Sequence, residues 1–261
     1  MNMNKFNQVF LLLVIAVIIS ACDGTSSSDS SGQGTSGSLA SMVTTNNQLH
    51  ILNNEVIVSF DLSGEMILQN KQMVSGPLWE AQTLFNYEED HLLVGTDTGI
   101  IVYELIGNDE NSLGALNYVS EFEHIRARDP VIAKNGVGYF TTRDGNENVE
   151  GAGDITGVLD LTDITQPVLL TENNDLKEPY GLALFEDTLL VCDQVLGLTQ
   201  FTKVTSEDRI IGLEHTKTFS NFPCNDVIVQ GSRLILSDEQ GITQAEFEED
   251  KLIFLSKIDT F

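Results

Sequence analysis

TLLVCDQVLGLTQFT (residues 188–202) consists of a short apolar run, a polar turn that ends in Gly197, and a second run in which apolar and polar side chains alternate. This order is typical of a β-hairpin, because tight hairpin turns favour positive φ and glycine adopts positive φ without a steric cost. The same order recurs at intervals of about 45 residues, a period typical of repeat folds. Its other copies are QLHILNNEVIVSFDL (48–62), HLLVGTDTGIIVYEL (91–105), VGYFTTRDG (137–145) continued at GVLDL (157–161), and RLILSDEQGITQAEF (233–247), with Asn53-Asn54, Gly99, Gly157 and Gly241 as their turn residues.

Each copy is flanked by one apolar run upstream and one downstream, which makes four strands per repeat and five repeats. The upstream runs are MVTT (42–45), AQTLF (81–85), PVIA (130–133), GLALF (181–185) and DVIVQ (226–230). Amphipathic helical periodicity is nearly absent. We therefore expect an all-β fold, a five-bladed β-propeller of four-stranded antiparallel blades, with a different blade count as the alternative. A β-sandwich would predict no internal repeat. Blade one should pack on blade five without a shared strand.

The N-terminal part is typical of a targeting segment followed by a tether. The apolar run VFLLLVIAVII (9–19) is shorter than the about 20 residues that a membrane-spanning helix needs. Ile19-Ser20-Ala21-Cys22 resembles the lipobox of bacterial lipoproteins, in which cleavage precedes a cysteine that is then lipidated. We expect a signal peptide over 1–21, lipidation at Cys22, a disordered Ser/Gly-rich tether over 22–40, and the repeat domain over 41–261.

The lipobox resemblance implies a location in the bacterial cell envelope, with a lipid anchor in a membrane and the folded domain outside the cytoplasm. Asp23 resembles the inner-membrane retention signal of enteric-type bacteria. Other lineages do not follow that rule, so the inner and the outer membrane both stay open.

The net charge of the chain restricts the partners that it can bind. A formal net charge of −26 repels nucleic acid and anionic headgroups, so no nucleic-acid partner is expected.

Besides Cys22 the chain contains Cys192 and Cys224, which lie in different repeats. In an exported protein such a pair forms a disulfide if the two strands are close, and otherwise remains as buried free thiols.

The repeats together resemble the bacterial LVIVD-repeat propeller lipoproteins. The similarity extends over almost all of the chain after Ser41. Its pieces are LLVGTDTGIIVYEL, RDPVIAKNGVGYFTTRDG, GVLDLTDITQPVLL, PYGLALFEDTLLVCD and NDVIVQGSRLILSDEQGITQAEF. The chain departs from that family in its shorter length, its eroded repeat cores, and the lack of a cysteine pair that often flanks the third repeat. The resemblance implies an exported propeller and supplies no catalytic residues.

Motifs of catalytic machinery are missing from the sequence. There is no G-x-S-x-G elbow, no Walker glycine loop and no zinc-type spacing of Cys and His. The insertion RDGNENVEGAGD (143–154) carries oxygen-bearing side chains at alternate positions in a Gly-rich loop, which suits Ca²⁺. The candidate ligands are Asp144, Asn146, Asn148, Glu150 and Asp154. An EF-hand would have glycine where Val149 stands, so a solvated loop without a cofactor is the alternative reading.

A second candidate site follows from the blade register. The innermost strands of a propeller begin at one rim of its axial channel, where aromatic and acidic side chains would converge. The residues at these starts are Trp79, Glu80, Arg128, Asp129, Tyr180 and Asp226. The alternative reading is structural: Asp129 and Asp226 would cap backbone amides of neighbouring strands.

These features predict a non-catalytic binding or scaffold propeller at the membrane, which uses the channel rim for an envelope protein, a glycan or a cation. The chain is not expected to be an enzyme. The alternative is a glycoside-acting enzyme, in which two of Glu80, Asp129 and Asp226 form an acid–base pair across the channel.

Overall fold

The computed structural model describes residues 38–74, 80–88, 90–106, 114–123, 130–143, 153–207, 209–248 and 251–259. Within these ranges the regular structure consists of twenty strands in five separate sheets of four. None of the described residues belongs to a helix long and apolar enough to cross a bilayer. The prediction of an all-β, five-bladed propeller with four-stranded antiparallel blades is confirmed.

The five blades follow one another along the chain. Blade one contains β1 (Met42–Thr45), β2 (Gln48–Asn53), β3 (Val56–Asp61) and β4 (Ile67–Met73). Blade two contains β5 (Ala81–Tyr87), β6 (His91–Thr96), β7 (Gly99–Ile106) and β8 (Ala115–Glu123). Blade three contains β9 (Val131–Lys134), β10 (Val137–Thr142), β11 (Ile155–Asp160) and β12 (Val168–Asn173). Blade four contains β13 (Pro179–Phe185), β14 (Thr188–Asp193), β15 (Gly197–Ser206) and β16 (Arg209–Phe219). Blade five contains β17 (Asp226–Gln230), β18 (Arg233–Asp238), β19 (Gly241–Glu248) and β20 (Lys251–Asp259).

Strands within a blade pair antiparallel in chain order, and short turns make this possible. Asn54 and Gly197 have positive φ in the turns between second and third strands, as the sequence predicts. Gly157 was predicted to be a turn residue as well, and this is wrong. It lies within β11 opposite Phe140, whose ring fills the space that a side chain at 157 would need. The insertion 143–154 connects β10 to β11 instead.

The core lies between the blades, because alternate residues of the second strands of blades two and four pack against opposite neighbours. On β6, Leu92 and Val94 belong to the apolar cluster shared with blade one. Leu93, between them, belongs to the cluster shared with blades three and four. All three side chains are fully buried. Strands that are buried on both faces are continuously apolar, which explains the unbroken runs in the sequence.

Cys192 and Cys224 form a disulfide, with 5.2 Å between their Cα atoms. Cys192 lies on β14, and Cys224 lies in the connection that leads from blade four into blade five. Both residues are buried in the apolar cluster between these two blades. The sequence left open whether these cysteines form a disulfide or remain free thiols, and the structure shows the disulfide.

The predicted packing of blade one on blade five is incomplete. No strand is shared between their sheets among the described residues, as expected. However, the apolar side chains of blade one that face away from blade two remain half-buried or exposed, and those of blade five that face away from blade four do as well. Near the axis the two blades are linked by Asp226, whose carboxylate accepts hydrogen bonds from Ser38 and Leu39.

Candidate functional site

The entry rim is the end of the propeller at which the innermost strands β1, β5, β9, β13 and β17 begin. Because the strands alternate in direction, the connections between blades and the turns between second and third strands lie at this same end. Of the residues predicted for the rim, the described ones are Glu80, Tyr180 and Asp226. Trp79, Arg128 and Asp129 lie outside the described residues.

Asp226 begins β17 and lies against the neighbouring innermost strand. The N–H of Gly181 on β13 donates to the carbonyl of Asn225 at 2.8 Å, which places Gly181 directly against the Asp226 carboxylate. The carboxylate accepts the backbone N–H of Val227 at 3.0 Å and further hydrogen bonds from Ser38 and Leu39. Burial raises the pKa of the Asp226 carboxyl to about 6, and these hydrogen bonds act in the opposite direction.

The segment that reaches Asp226 is residues 38–41, which we call the axial segment. The Ser38 hydroxyl donates to Asp226 Oδ1 at 3.4 Å and accepts the backbone N–H of Leu182 on β13 at 2.7 Å. The carbonyl of Ala40 accepts the N–H of Leu84 on β5 at 2.7 Å. The axial segment therefore lies against the innermost strands of blades two, four and five. Residues 38–40 belong to the predicted tether, but here they are bonded to the propeller.

Arg143 and Tyr180 form a pair at the rim that the sequence analysis missed. The guanidinium carbon of Arg143, just after β10, lies 3.5 Å from the centroid of the Tyr180 ring, which is a close cation–π contact. Thr141 Oγ1 donates to the Tyr180 carbonyl at 2.6 Å and fixes the start of β13 against blade three. The missed signal was positional: Arg143 follows the second strand of its blade, at the same end as the strand starts.

The rim also contains carboxylates whose role is structural. Asp193, at the end of β14, is fully buried and accepts four backbone N–H groups, from residues 177, 178, 195 and 196, at 2.7–3.0 Å. Asp238 occupies the same place in blade five and accepts the N–H groups of Gln240 and Gly241. These side chains hold the turns and connections of the rim in place, so a carboxylate at the rim is not by itself evidence of chemistry.

Glu80 differs from Asp226 in its surroundings. Its backbone N–H donates to Asp97 Oδ1 at 3.0 Å, and its carbonyl accepts the N–H of Asp97 at 3.1 Å. The Glu80 residue itself is exposed. Its backbone is thus held by the turn between β6 and β7, while its side chain faces solvent.

Most of the other predicted sites lie outside the described residues. These are Cys22 and four of the candidate calcium ligands, Asp144, Asn146, Asn148 and Glu150. The fifth, Asp154, is half-buried just before β11. Within the ranges that the structure describes, no three His, Cys, Asp or Glu side chains are grouped as for a metal ion. Calcium binding stays a prediction.

Two of the described rim residues carry groups that can take part in a reaction, the carboxyl group of Asp226 and the guanidinium of Arg143. A carboxyl whose pKa is about 6 exists in both protonation states near neutral pH, as a general acid or base requires. A guanidinium is always charged and donates hydrogen bonds in a fixed planar geometry, which suits an oxyanion or a carbonyl oxygen. Gly181, which follows Tyr180 near the start of β13, contacts Asp226, so these groups lie in one region of the rim.

The sequence matches no protein-family model and no curated protein. Solved structures do share its fold. A candidate 6-phosphogluconolactonase from Bacteroides fragilis has a TM-score of 0.66 and 12% identity, over 84% of this chain and 69% of that one. One from Bacteroides uniformis has a TM-score of 0.60 and 11% identity, over 84% and 70%. A luciferin-regenerating enzyme has a TM-score of 0.54 and 13% identity, over 87% and 77%. At these identities the likeness concerns the fold.

These comparisons contradict the functional prediction from sequence. A non-catalytic binding or scaffold propeller was expected, whereas the three similar structures carry the names of enzymes. The alternative prediction was an enzyme that acts on glycosides, and none of the three names refers to a glycoside. The prediction relied on missing motifs, and the absence of a motif does not exclude an enzyme.

Proposed function

We propose that this chain is a propeller hydrolase that opens an uncharged cyclic ester at the entry rim. The support is an Arg143–Tyr180 pair at the same rim as a carboxyl group with a pKa of about 6, which Gly181, the residue after Tyr180, touches. The fold is shared with structures named for lactone chemistry. The proposal depends on the raised pKa of Asp226. This residue is the described rim carboxylate whose pKa burial shifts towards neutrality.

The reaction assigns one role to each group. Water attacks the carbonyl carbon of the lactone, and the Asp226 carboxylate takes the proton that the water releases. Arg143 donates hydrogen bonds to the oxyanion that forms, while the Tyr180 ring holds the guanidinium from its other face. The ring C–O bond then breaks, and the leaving oxygen receives the proton from Asp226. The product is the open-chain hydroxy acid.

The charge of the chain favours a neutral substrate. With a formal net charge of −26, the protein repels a phosphorylated lactone over distances of about 10 Å at moderate salt. The same repulsion favours release of the product, which is an anion. We therefore infer that the substrate lacks the phosphate that appears in the names of the similar structures.

The experiment measures acid release by the full chain from glucono-δ-lactone and from its 6-phosphate. We expect hydrolysis above the buffer rate with the uncharged lactone only. The rate should increase with pH through about 6 and then level off, since the base form of Asp226 is required. Asp226→Asn and Arg143→Met should each reduce kcat/KM by at least about 100-fold, a typical loss for a proton-transfer or oxyanion group.

Asp187→Asn is the matched control, because this aspartate lies at the opposite end and its side chain is 95% exposed. Its kcat/KM should remain unchanged. Hydrolysis no faster than in buffer for either lactone would overturn the proposal, as would full activity of the folded Asp226→Asn variant.

We further propose that the enzyme is a lipoprotein of the cell envelope, anchored through Cys22, and that it belongs with the LVIVD-repeat propellers. The support is the lipobox-like sequence together with the disulfide, since disulfides persist in oxidising compartments and are rare in the cytosol. Labelling of cells with a clickable fatty acid should mark the wild-type chain and not Cys22→Ala. Equal labelling of both would contradict the anchor.

A further inference from the structure

Thr141 lies where blade three meets the start of blade four. It is the fifth residue of β10, and its side chain is fully buried. Its hydroxyl donates to the carbonyl of Tyr180, the second residue of β13, at 2.6 Å. Arg143 follows two residues later, so its side chain leaves the same face of the strand. The guanidinium carbon of Arg143 lies 3.5 Å from the centroid of the Tyr180 ring. One face of blade three therefore contacts both the backbone and the ring of Tyr180.

The main chain from which Arg143 projects is held in place from within blade three. The hydroxyl of Thr142 donates to the carbonyl of Gly153 at 2.8 Å and so joins the two ends of the insertion that Arg143 begins. The stacking of the guanidinium on the ring then depends on where blade four places Tyr180. The hydrogen bond from Thr141 sets this position, because it joins the Tyr180 backbone directly to β10.

The equivalent residue of blade four makes an equivalent connection. Cys192 is the fifth residue of β14 and forms the disulfide with Cys224, in the connection that leads into blade five. In both blades the fifth residue of the second strand pairs with the second residue of the third strand, so Thr141 and Cys192 occupy the same place. That place holds Leu52 in blade one and Gly95 in blade two, whose side chains can form neither bond.

The two blade entries that are held in this way carry the groups of the proposed reaction. Tyr180, which contacts Arg143, lies at the entry of blade four, and Asp226 follows two residues after Cys224 at the entry of blade five. We propose, on the basis of the proposed function, that Thr141 is a positioning residue for lactone hydrolysis. Its hydrogen bond keeps the Tyr180 ring against the guanidinium that stabilises the oxyanion.

Thr141 acts through Tyr180, whereas Arg143 contacts the reacting oxygen. Donors to an oxyanion act at about 2.7–3.1 Å, and a misplacement of about 1 Å can cost about 100-fold in rate. Without the hydrogen bond the start of β13 and its ring can shift relative to Arg143, and the guanidinium then loses its fixed orientation. The oxyanion forms only in the transition state, so this loss should lower kcat and leave KM unchanged.

The kinetic experiment removes the hydroxyl of Thr141 and then restores it. Thr141→Val keeps the shape of the side chain, and we expect kcat for glucono-δ-lactone to fall at least about tenfold while KM stays within about twofold. Thr141→Ser retains the donor and should retain the wild-type kcat within about twofold. In an Arg143→Met background, Thr141→Val should cause no further loss, because the two residues act as one unit. An undiminished further loss in that background would overturn the inference.

Thr156→Val is the matched control. Thr156 pairs with Thr141 across β10 and β11 and is also fully buried, but its hydroxyl has no hydrogen-bond partner within the part of the chain that the structure describes. The same substitution is thus made on the neighbouring strand without breaking a hydrogen bond, and kcat should remain that of the wild type. An equal fall of kcat in Thr156→Val and Thr141→Val would overturn the inference, since local packing would then explain both.

A measurement without substrate separates this inference from the proposed function. The Tyr180 ring current should shift the side-chain N–H resonances of Arg143 upfield, and Tyr180→Leu gives their position without the ring. Thr141→Val should move the resonances most of the way to that position, and Thr141→Ser should not. Movement in a wild-type background that hydrolyses no lactone would support the contact while the proposed function fails. Unmoved resonances in Thr141→Val would overturn the inference, whether or not lactone is hydrolysed. Thr141→Ala removes the same hydroxyl and takes the place of Thr141→Val if that variant does not fold.

Discussion

The side-chain oxygen of Ser38 accepts the backbone N–H of Leu182 at 2.7 Å, although 144 residues separate the two along the chain. Ser38 is buried, and its hydroxyl also contacts Asp226. A single side chain thus holds the start of the described chain against two blades at the far end of the sequence.

Ser38→Ala should lower the free energy of unfolding by about 1–2 kcal/mol, because the buried Leu182 N–H loses its acceptor. Urea unfolding followed by circular dichroism measures the difference. Ser256→Ala is the control, since that hydroxyl is exposed and makes only a 3.4 Å contact with Gln244. Equal stability of the two variants would contradict the role of the axial segment.

Asp226 and His50 should give the unfolding free energy opposite pH dependences. Burial lowers the pKa of His50 to about 4, so the stability that neutral His50 provides is lost as the pH falls from about 6.5 to 4. Burial raises the pKa of Asp226 to about 6, so its stabilising contribution is present below about pH 3.8 and is lost as the pH increases through 6. Each effect amounts to about 3 kcal/mol, so the two largely cancel between pH 4 and 6.

Removing one group at a time separates these contributions. Relative to the wild type, His50→Gln should become less stable as the pH increases from 4 to 6, because only the Asp226 effect remains. Asp226→Asn should become more stable over the same range. Parallel pH profiles of the two variants, measured by urea unfolding, would refute both assignments.

The disulfide should contribute about 3–4 kcal/mol, as expected for a loop that closes over 32 residues. The double variant Cys192→Ala/Cys224→Ala should therefore unfold at a clearly lower urea concentration than the oxidised wild type. Alkylation of the unfolded wild type before reduction should leave both cysteines unmodified. Labelling of either one at that stage would mean that the pair is not bonded.

Gly181→Ala should destabilise the protein by about 1–3 kcal/mol, because a Cβ at this position overlaps the carboxylate and Cα of Asp226. The same variant should reduce the proposed lactone hydrolysis, since the strand start beside Asp226 must move. Gly64→Ala is the control, because a Cβ at 64 meets only open space. A Gly181→Ala protein as stable as the Gly64→Ala protein would show that the two innermost strands are not in close contact.

Asp193→Asn should cost at least about 2 kcal/mol, because a carboxamide retains one acceptor oxygen for four backbone N–H groups. Thermal unfolding measures the loss. Asp187→Asn, at an exposed site, provides the reference and should melt with the wild type.

The repeat pattern was sufficient to predict the architecture, because blade formation depends on local properties that a sequence displays. Runs such as TLLVCD are apolar on both faces, and the turns that follow them contain Asn or Gly where φ is positive. Gly157 was misassigned because the sequence does not distinguish a glycine that makes room for the Phe140 ring from a glycine in a turn.

The candidate site was less predictable, because it depends on contacts between distant parts of the chain. The strand starts identified Asp226 and Tyr180, but nothing near Arg143 in the sequence indicates that Tyr180 lies beneath it. Residues 38–40 have the composition of a tether, and only the partners supplied by blades two, four and five order them. Composition indicates whether a segment can be ordered by itself, whereas residues 38–40 are ordered by contacts with other parts of the chain.

The position of Ser38 bears on the order in which parts of the chain can reach their final contacts. The residues that emerge first find their acceptors and donors on strands that emerge last, so the tie to Asp226 has to wait for the complete polypeptide. Contacts between remote parts of a chain form slowly. Until then the segment before blade one has no partner in blade five, and a truncated product that lacks blade five would leave this segment open to proteolysis.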